Sequence, residues 1–175
     1  QTLTNAGYEH YEISNYAQLG HQCRHNRVYW ENRPYYGFGM GAASYVEGKR
    51  FTRPRTRQEY YQWVESGRQI EDAELAANDI LLETLMLGLR LAEGLDISSL
   101  LQQFGEEIFK EIWNCLQPYY QQGWVEILNE EAEINKLPTS GRLKLTAPEG
   151  FLFSNTILAT LFEQLETNNN KRRVR

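Results

Sequence analysis

From Asn78 onward, apolar residues recur at helical spacing, pause at two short strand-like runs and then resume, and this order limits the fold more than any other feature. Ile80, Leu81, Leu85, Leu87 and Leu89 mark a helix over 78–91 built from good helix formers. Asp96-Ile97-Ser98-Ser99 supplies caps for a short helix from Ser99 to Phe104, which Gly105 stops. A third helix, 107–121, places Ile108, Ile112, Trp113, Leu116 and Tyr120 at core spacing and ends at Gly123. Trp124–Leu128 and Arg142–Thr146 read as strands around a polar loop, 129–141. Pro148 opens a last helix, 149–165, with Phe151, Leu152, Ile157, Leu158, Leu161 and Phe162. Helix, short helix, helix, strand, loop, strand, helix is the order of a winged-helix domain with an added C-terminal helix.

The first third reads differently. Residues 8–17 alternate apolar and polar side chains and predict one strand, punctuated by Leu19-Gly20. Cys23–Trp30 follow as a loop or short helix, and Asn32-Arg33-Pro34 breaks the chain. Tyr35–Val46 is glycine-rich and suits a buried strand or turn approached closely by another backbone or a ligand. Lys49–Thr56 is basic and extended. Arg57–Ser66 has helical spacing, with Tyr60, Tyr61 and Val64 on one face and Gly67 as its stop.

Charge divides the chain in the same place. Residues 1–68 carry a balance of +3, residues 69–170 one of −12, and the tail from Lys171 adds four positive charges, for a net −5. The expected domains are therefore 1–67, 68–166 and a disordered basic tail, 167–175. A winged helix commonly reads DNA, but here the recognition helix would present Glu107 and Glu111 beside a single Lys110. Nucleic-acid affinity rests on neutralising phosphates, so a −12 domain argues against that role and favours a structural or partner-docking one. Two cysteines, Cys23 and Cys115, are too few for a disulfide framework and suit a reducing, cytoplasmic setting. No run approaches the roughly 20 apolar residues of a membrane span, and the first residues lack a secretory pattern. The absence of an initiator Met suggests a piece of a longer protein.

The residues richest in chemistry are Cys23-Arg24-His25-Asn26-Arg27-Val28-Tyr29-Trp30. A neutral imidazole can ligate heme iron, aromatic rings can flank the macrocycle, and guanidiniums such as Arg24 and Arg27 can pair with propionates. Asn26 could fix the tautomer of His25. The alternative is an ordinary surface histidine with packed rings. The Gly37-Phe38-Gly39-Met40-Gly41 string resembles a phosphate cradle, yet no Lys-Ser/Thr pair follows, so a tight-packing turn is favoured. The basic run Lys49, Arg50, Arg53, Arg55 and Arg57 suits carboxylate or phosphate contacts, or a charged edge strand.

Gly7-Tyr8-Glu9-His10-Tyr11-Glu12-Ile13-Ser14-Asn15-Tyr16-Ala17, then Cys23-Arg24-His25-Asn26, then Tyr29-Trp30 and the glycine string together resemble the C-terminal half of HemW-type heme chaperones. These are radical S-adenosylmethionine proteins related to oxygen-independent coproporphyrinogen III oxidases, and the His-Asn-x-x-Tyr-Trp pattern favours the chaperone branch. The resemblance implies an α+β chain: terminal strands of a partial (β/α) barrel, then a mostly helical, winged-helix-like domain. It implies His25 as heme-iron ligand, with Asn26, Tyr29 and Trp30 shaping the pocket. It also implies Gly39, Gly41 and Ala43 on the S-adenosylmethionine side, Ala43 standing where the family often has His. Heme and heme-acceptor proteins, membrane-associated ones among them, are the implied partners. The family's [4Fe–4S] cluster needs three closely spaced thiolates. Two distant cysteines cannot hold it, so cluster and S-adenosylmethionine chemistry would belong to the full-length parent and this part would be non-catalytic. The rival readings are the C-terminal part of a coproporphyrinogen III oxidase and an acidic docking module without a ligand. Exposed strand edges make a homodimer conceivable.

Overall fold

The computed structural model describes residues 2–68, 77–128 and 137–173. In chain order the elements are α1 (Thr2–Asn5), β1 (Tyr8–Glu12), β2 (Asn15–Gln18), α2 (Arg24–Trp30), β3 (Ala43–Val46), β4 (Lys49–Thr52) and α3 (Arg57–Glu65). They continue as α4 (Ala77–Gly88), β5 (Leu95–Asp96), α5 (Ile97–Phe104), α6 (Glu106–Gln121), β6 (Val125–Leu128), β7 (Arg142–Leu145), α7 (Glu149–Leu152) and α8 (Ser154–Arg173). The chain is thus mixed α+β. It forms two compact units, Gln1–Cys23 with Leu81–Arg175, and Arg24–Ile80, a division that differs from the expected 67/68 boundary.

In the larger unit the predicted strand 8–17 is instead a hairpin. β1 and β2 pair antiparallel from Tyr8 opposite Gln18 to Glu12 opposite Asn15, with the turn at Ile13-Ser14. The fully buried Glu12 carboxylate makes the turn possible, accepting from the Ser14 N–H at 3.0 Å and from the Asn15 side-chain amide. The hairpin is stitched to the chain after α4: the Ile13 N–H donates to the Arg90 carbonyl (2.9 Å) and the Ala92 N–H to the Tyr11 carbonyl (3.0 Å).

The core lies among α4, α5, α6, α8 and a three-stranded antiparallel sheet of order β5-β7-β6. Trp113, Phe109, Leu85, Leu89, Ile97, Ile112, Leu116, Leu143, Leu145, Ile157 and Leu161 are fully buried. Each such side chain stabilises the unit by about 1.5–3 kcal/mol relative to exposure. Alternation in β7 buries Leu143 and Leu145, while Ile157, Leu161 and Leu165 give α8 a buried stripe at helical spacing. Phe109, buried yet absent from the expected core of α6, lies one residue beyond Ile108, which is half-buried. Asp96 caps α5, accepting from the Ser99 N–H and hydroxyl, both at 2.7 Å.

Three further expectations change. Asp96 and its neighbour Leu95 form the edge strand β5, too short to show in an apolar pattern. The last helix is broken at Phe153, whose ring stacks on Trp124 at 4.2 Å. The helix then runs to Arg173, so 167–173 continue α8 where a disordered tail was expected. Residues 129–136 of the expected polar loop lie outside the described residues. No helix among the described residues is long and apolar enough to cross a membrane.

The smaller unit has little core: among its described residues only Ser44 is buried. β3 and β4 form a hairpin from Ala43 opposite Thr52 to Val46 opposite Lys49. Its two-residue turn, Glu47-Gly48, has φ of 52° and 76°, the geometry that matches strand twist. Of the expected buried strand or turn over 35–46, Ala43–Val46 form β3, Tyr35 pairs with Tyr45 in an isolated bridge, and Phe38, in the loop between, is 85% exposed. At Gly37 a Cβ would collide with the Ala43 carbonyl, so glycine there permits the close approach of two backbones. Thr56 caps α3 by accepting from the Glu59 N–H, and its hydroxyl donates to the Glu59 carboxylate at 2.6 Å.

Candidate functional site

All the iron-ligand and pocket residues expected from sequence lie on or beside α2, in the smaller unit. Helical geometry puts His25 and Tyr29 on one face, and their rings meet edge to face at 4.9 Å. Tyr29 in turn meets Tyr35 at 4.7 Å, so the His25 face of the helix continues into an aromatic step. His25 and Tyr29 are exposed, while Asn26 and Trp30 are half-buried. Adjacent positions on a helix diverge by about 100°. Asn26 is thus badly placed to set the His25 tautomer, and the ring contact is with Tyr29.

The two nearby guanidiniums differ. Arg27 Nε lies 2.5 Å from Glu31 Oε1, and Arg33 Nε lies 2.7 Å from Glu31 Oε2. Glu31 is thereby held between two cations, and Arg27 is engaged within the protein instead of being held ready for a propionate. Arg24 is exposed at the start of α2. The other two histidines are placed differently: His21 is exposed in the larger unit, whereas His10 stacks on Tyr16 at 4.2 Å and meets Phe151 edge on at 4.9 Å.

The glycine string is not an open cradle. The Gly41 N–H donates to the Pro54 carbonyl (2.9 Å) and the Ala42 N–H to the Gly39 carbonyl (3.3 Å), so both amides are used within the loop. Gly39 and Gly41 are exposed with φ of 94° and 71°, and Ala43 opens β3 half-buried. Sequence reasoning missed the polar node below this loop. Ser44 Oγ accepts from the Gly37 N–H and from Arg53, each at 3.0 Å. It also missed Trp63, which shares a face of α3 with Tyr60 at 5.8 Å between ring centres; the spacing of three could have shown it.

Cys23 is exposed and Cys115 half-buried, and burial pushes the Cys115 thiol up from its ordinary pKa. No group of three or more metal-ligating side chains occurs among the described residues. The thiolates of an iron–sulfur cluster are not a donor set this chain can supply.

The family profile of the HemN C-terminal domain matches residues 75–136, which include α4, α5, α6 and β6. The chain is 47% identical to a heme chaperone HemW of Synechocystis over 95% of its own length and 42% of the relative's. Residues 75–136 thus match the HemN C-terminal domain, and the chain along nearly its whole length is similar to HemW proteins. A heme chaperone HemW of Escherichia coli is 39% identical over 53% of this chain and 25% of its own length. Among solved structures, the coproporphyrinogen III oxidase HemN of Escherichia coli, a radical SAM enzyme, matches with a TM-score of 0.61 and 18% identity. That match covers 95% of this chain and 39% of the enzyme, and at this identity it shows a shared fold. The chain therefore spans about two fifths of the length of the Synechocystis relative, 42%.

Proposed function

We propose that the chain is the C-terminal part of a radical S-adenosylmethionine heme chaperone, contributing to heme binding and delivery. The observation that carries this reading is the 47% identity with a heme chaperone HemW along nearly the whole chain. His25 is the proposed iron ligand: its imidazole is exposed on α2, with Tyr29 and Tyr35 continuing the aromatic surface and Asn26 and Trp30 completing the pocket. Such a surface suits a flat apolar macrocycle, and an exposed site suits cargo that must leave again. Arg24 is the better placed partner for a propionate, because Arg27 is engaged by Glu31.

In this reading residues 1–67 complete a partial barrel whose other strands, cluster and most of the S-adenosylmethionine site lie in the rest of the parent. Gly39, Gly41 and Ala43 face that side. Within the expected span 68–166, the described elements from α4 onward make up the winged-helix-like domain. The sequence β5–α5–α6–β6–β7 after α4, with strand order β5-β7-β6, supports that assignment. Its acidic surface is offered to acceptor proteins.

Titrating hemin into the chain and following the Soret band tests the reading: a saturable shift at one equivalent is expected. An assay of the full-length parent for coproporphyrinogen decarboxylation addresses the rival oxidase function. Turnover there would replace the chaperone reading.

A further inference from the structure

The smaller unit contains a cleft of about 450 Å³ beside α3, within the range of small-molecule sites. Its walls include Phe38, Arg53, Tyr60, Trp63 and Arg68, and no carboxylate lines it among the described residues. Two cations and several aromatic rings around one hollow form a chemically one-sided site.

The fold positions the Arg53 guanidinium and the Arg68 backbone. Arg53 donates one N–H to the buried Ser44 hydroxyl at 3.0 Å, and its guanidinium lies 5.9 Å from the Trp63 ring centre and 5.6 Å from that of Phe51. Anchored by one N–H and flanked by two rings, it keeps its other N–H groups for a ligand. Arg68 has φ of 60°, a left-handed conformation that a residue with a Cβ resists. Its N–H donates to the Trp63 carbonyl at 2.9 Å, which closes the end of α3 beside the cleft. Tyr60 and Trp63, at positions i and i+3 of the helix, present ring surface to the same hollow.

We propose that this cleft binds a planar aromatic anion, its ring against Tyr60 and Trp63 and its phosphate or carboxylate shared by Arg53 and Arg68. The site is separate from His25, and its chemistry opposes S-adenosylmethionine, whose sulfonium and ammonium leave a net positive charge. A nucleotide phosphate and a tetrapyrrole carboxylate share the required chemistry.

Isothermal titration calorimetry on the His25→Ala chain, which removes the proposed iron ligand, distinguishes these sources with adenosine 5′-monophosphate and metal-free protoporphyrin IX. At least one is expected to bind saturably, and the one that does identifies the class. Adenosine, inorganic phosphate and S-adenosylmethionine are each expected to bind at least about tenfold more weakly than adenosine monophosphate if that is the ligand. Arg53→Gln and Arg68→Ala should each weaken binding about tenfold. Should Arg53→Gln fail to fold, the exposed Arg68 decides. Absence of saturable binding by both anions, or affinity unchanged in Arg68→Ala, would overturn the proposal.

Discussion

Glu12 shows how much a single buried carboxylate can organise. It serves a backbone N–H and a side-chain amide at the β1–β2 turn, so truncating it removes a buried acceptor that two donors share. Glu12→Ala is expected to lower unfolding stability by about 1–3 kcal/mol, measured by urea denaturation. Asp96 acts through its charge. The Ser99 hydroxyl and backbone N–H hold its carboxyl below the usual carboxylate range, with a smaller contribution from Arg142. A lowered folded pKa contributes stability that is complete above the unfolded value and is lost as pH falls through the folded one. Asp96→Ala should therefore cost about 1 kcal/mol at neutral pH. That difference should shrink below about pH 4, where the unfolded carboxylate protonates. The thiols should separate as well. At pH 7 iodoacetamide should label exposed Cys23 in the folded chain, and burial should protect Cys115 until it unfolds; mass spectrometry reads both.

Elements followed the sequence where an apolar stripe spanned several turns, and departed from it where a local contact decided. α4, α6, β6 and β7 were visible because Leu85, Ile112, Trp113, Leu143 and Leu145 repeat at the period of their element. The β1–β2 turn was not, because alternation continues through Ile13-Ser14 and only the buried Glu12 marks the reversal. Nor was the break at Phe153, whose ring stacks on Trp124, distant in sequence and just ahead of β6. At the candidate site the residue types could be read from sequence, whereas the capture of Arg27 by Glu31 and the use of the Gly41 and Ala42 amides needed coordinates. Glycines show the same contrast. A Cβ at Gly150 would strike the Trp124 carbonyl, and at Gly94, with φ of 65°, the Leu143 carbonyl, whereas Gly123, at φ of 75°, has open space. Gly123→Ala should cost about 1–2 kcal/mol from its left-handed backbone alone. Gly94→Ala should cost clearly more, because it adds a backbone collision to the same strain; thermal melts compare the two.

The chain as a whole joins a unit with an extensive apolar core to one in which Ser44 is the sole buried residue described. Amide exchange should reflect that difference: β3 and β4 are expected to exchange well before α6, since local stability follows buried apolar contact. A smaller unit with so little buried core also fits the proposed uptake and release of heme at α2. The proposed heme site rests most directly on His25. Hemin titration followed at the Soret band, wild type beside His25→Ala, should show saturable binding that weakens at least about tenfold on loss of the imidazole, with a changed band position. An unchanged Soret band and affinity in His25→Ala would contradict it.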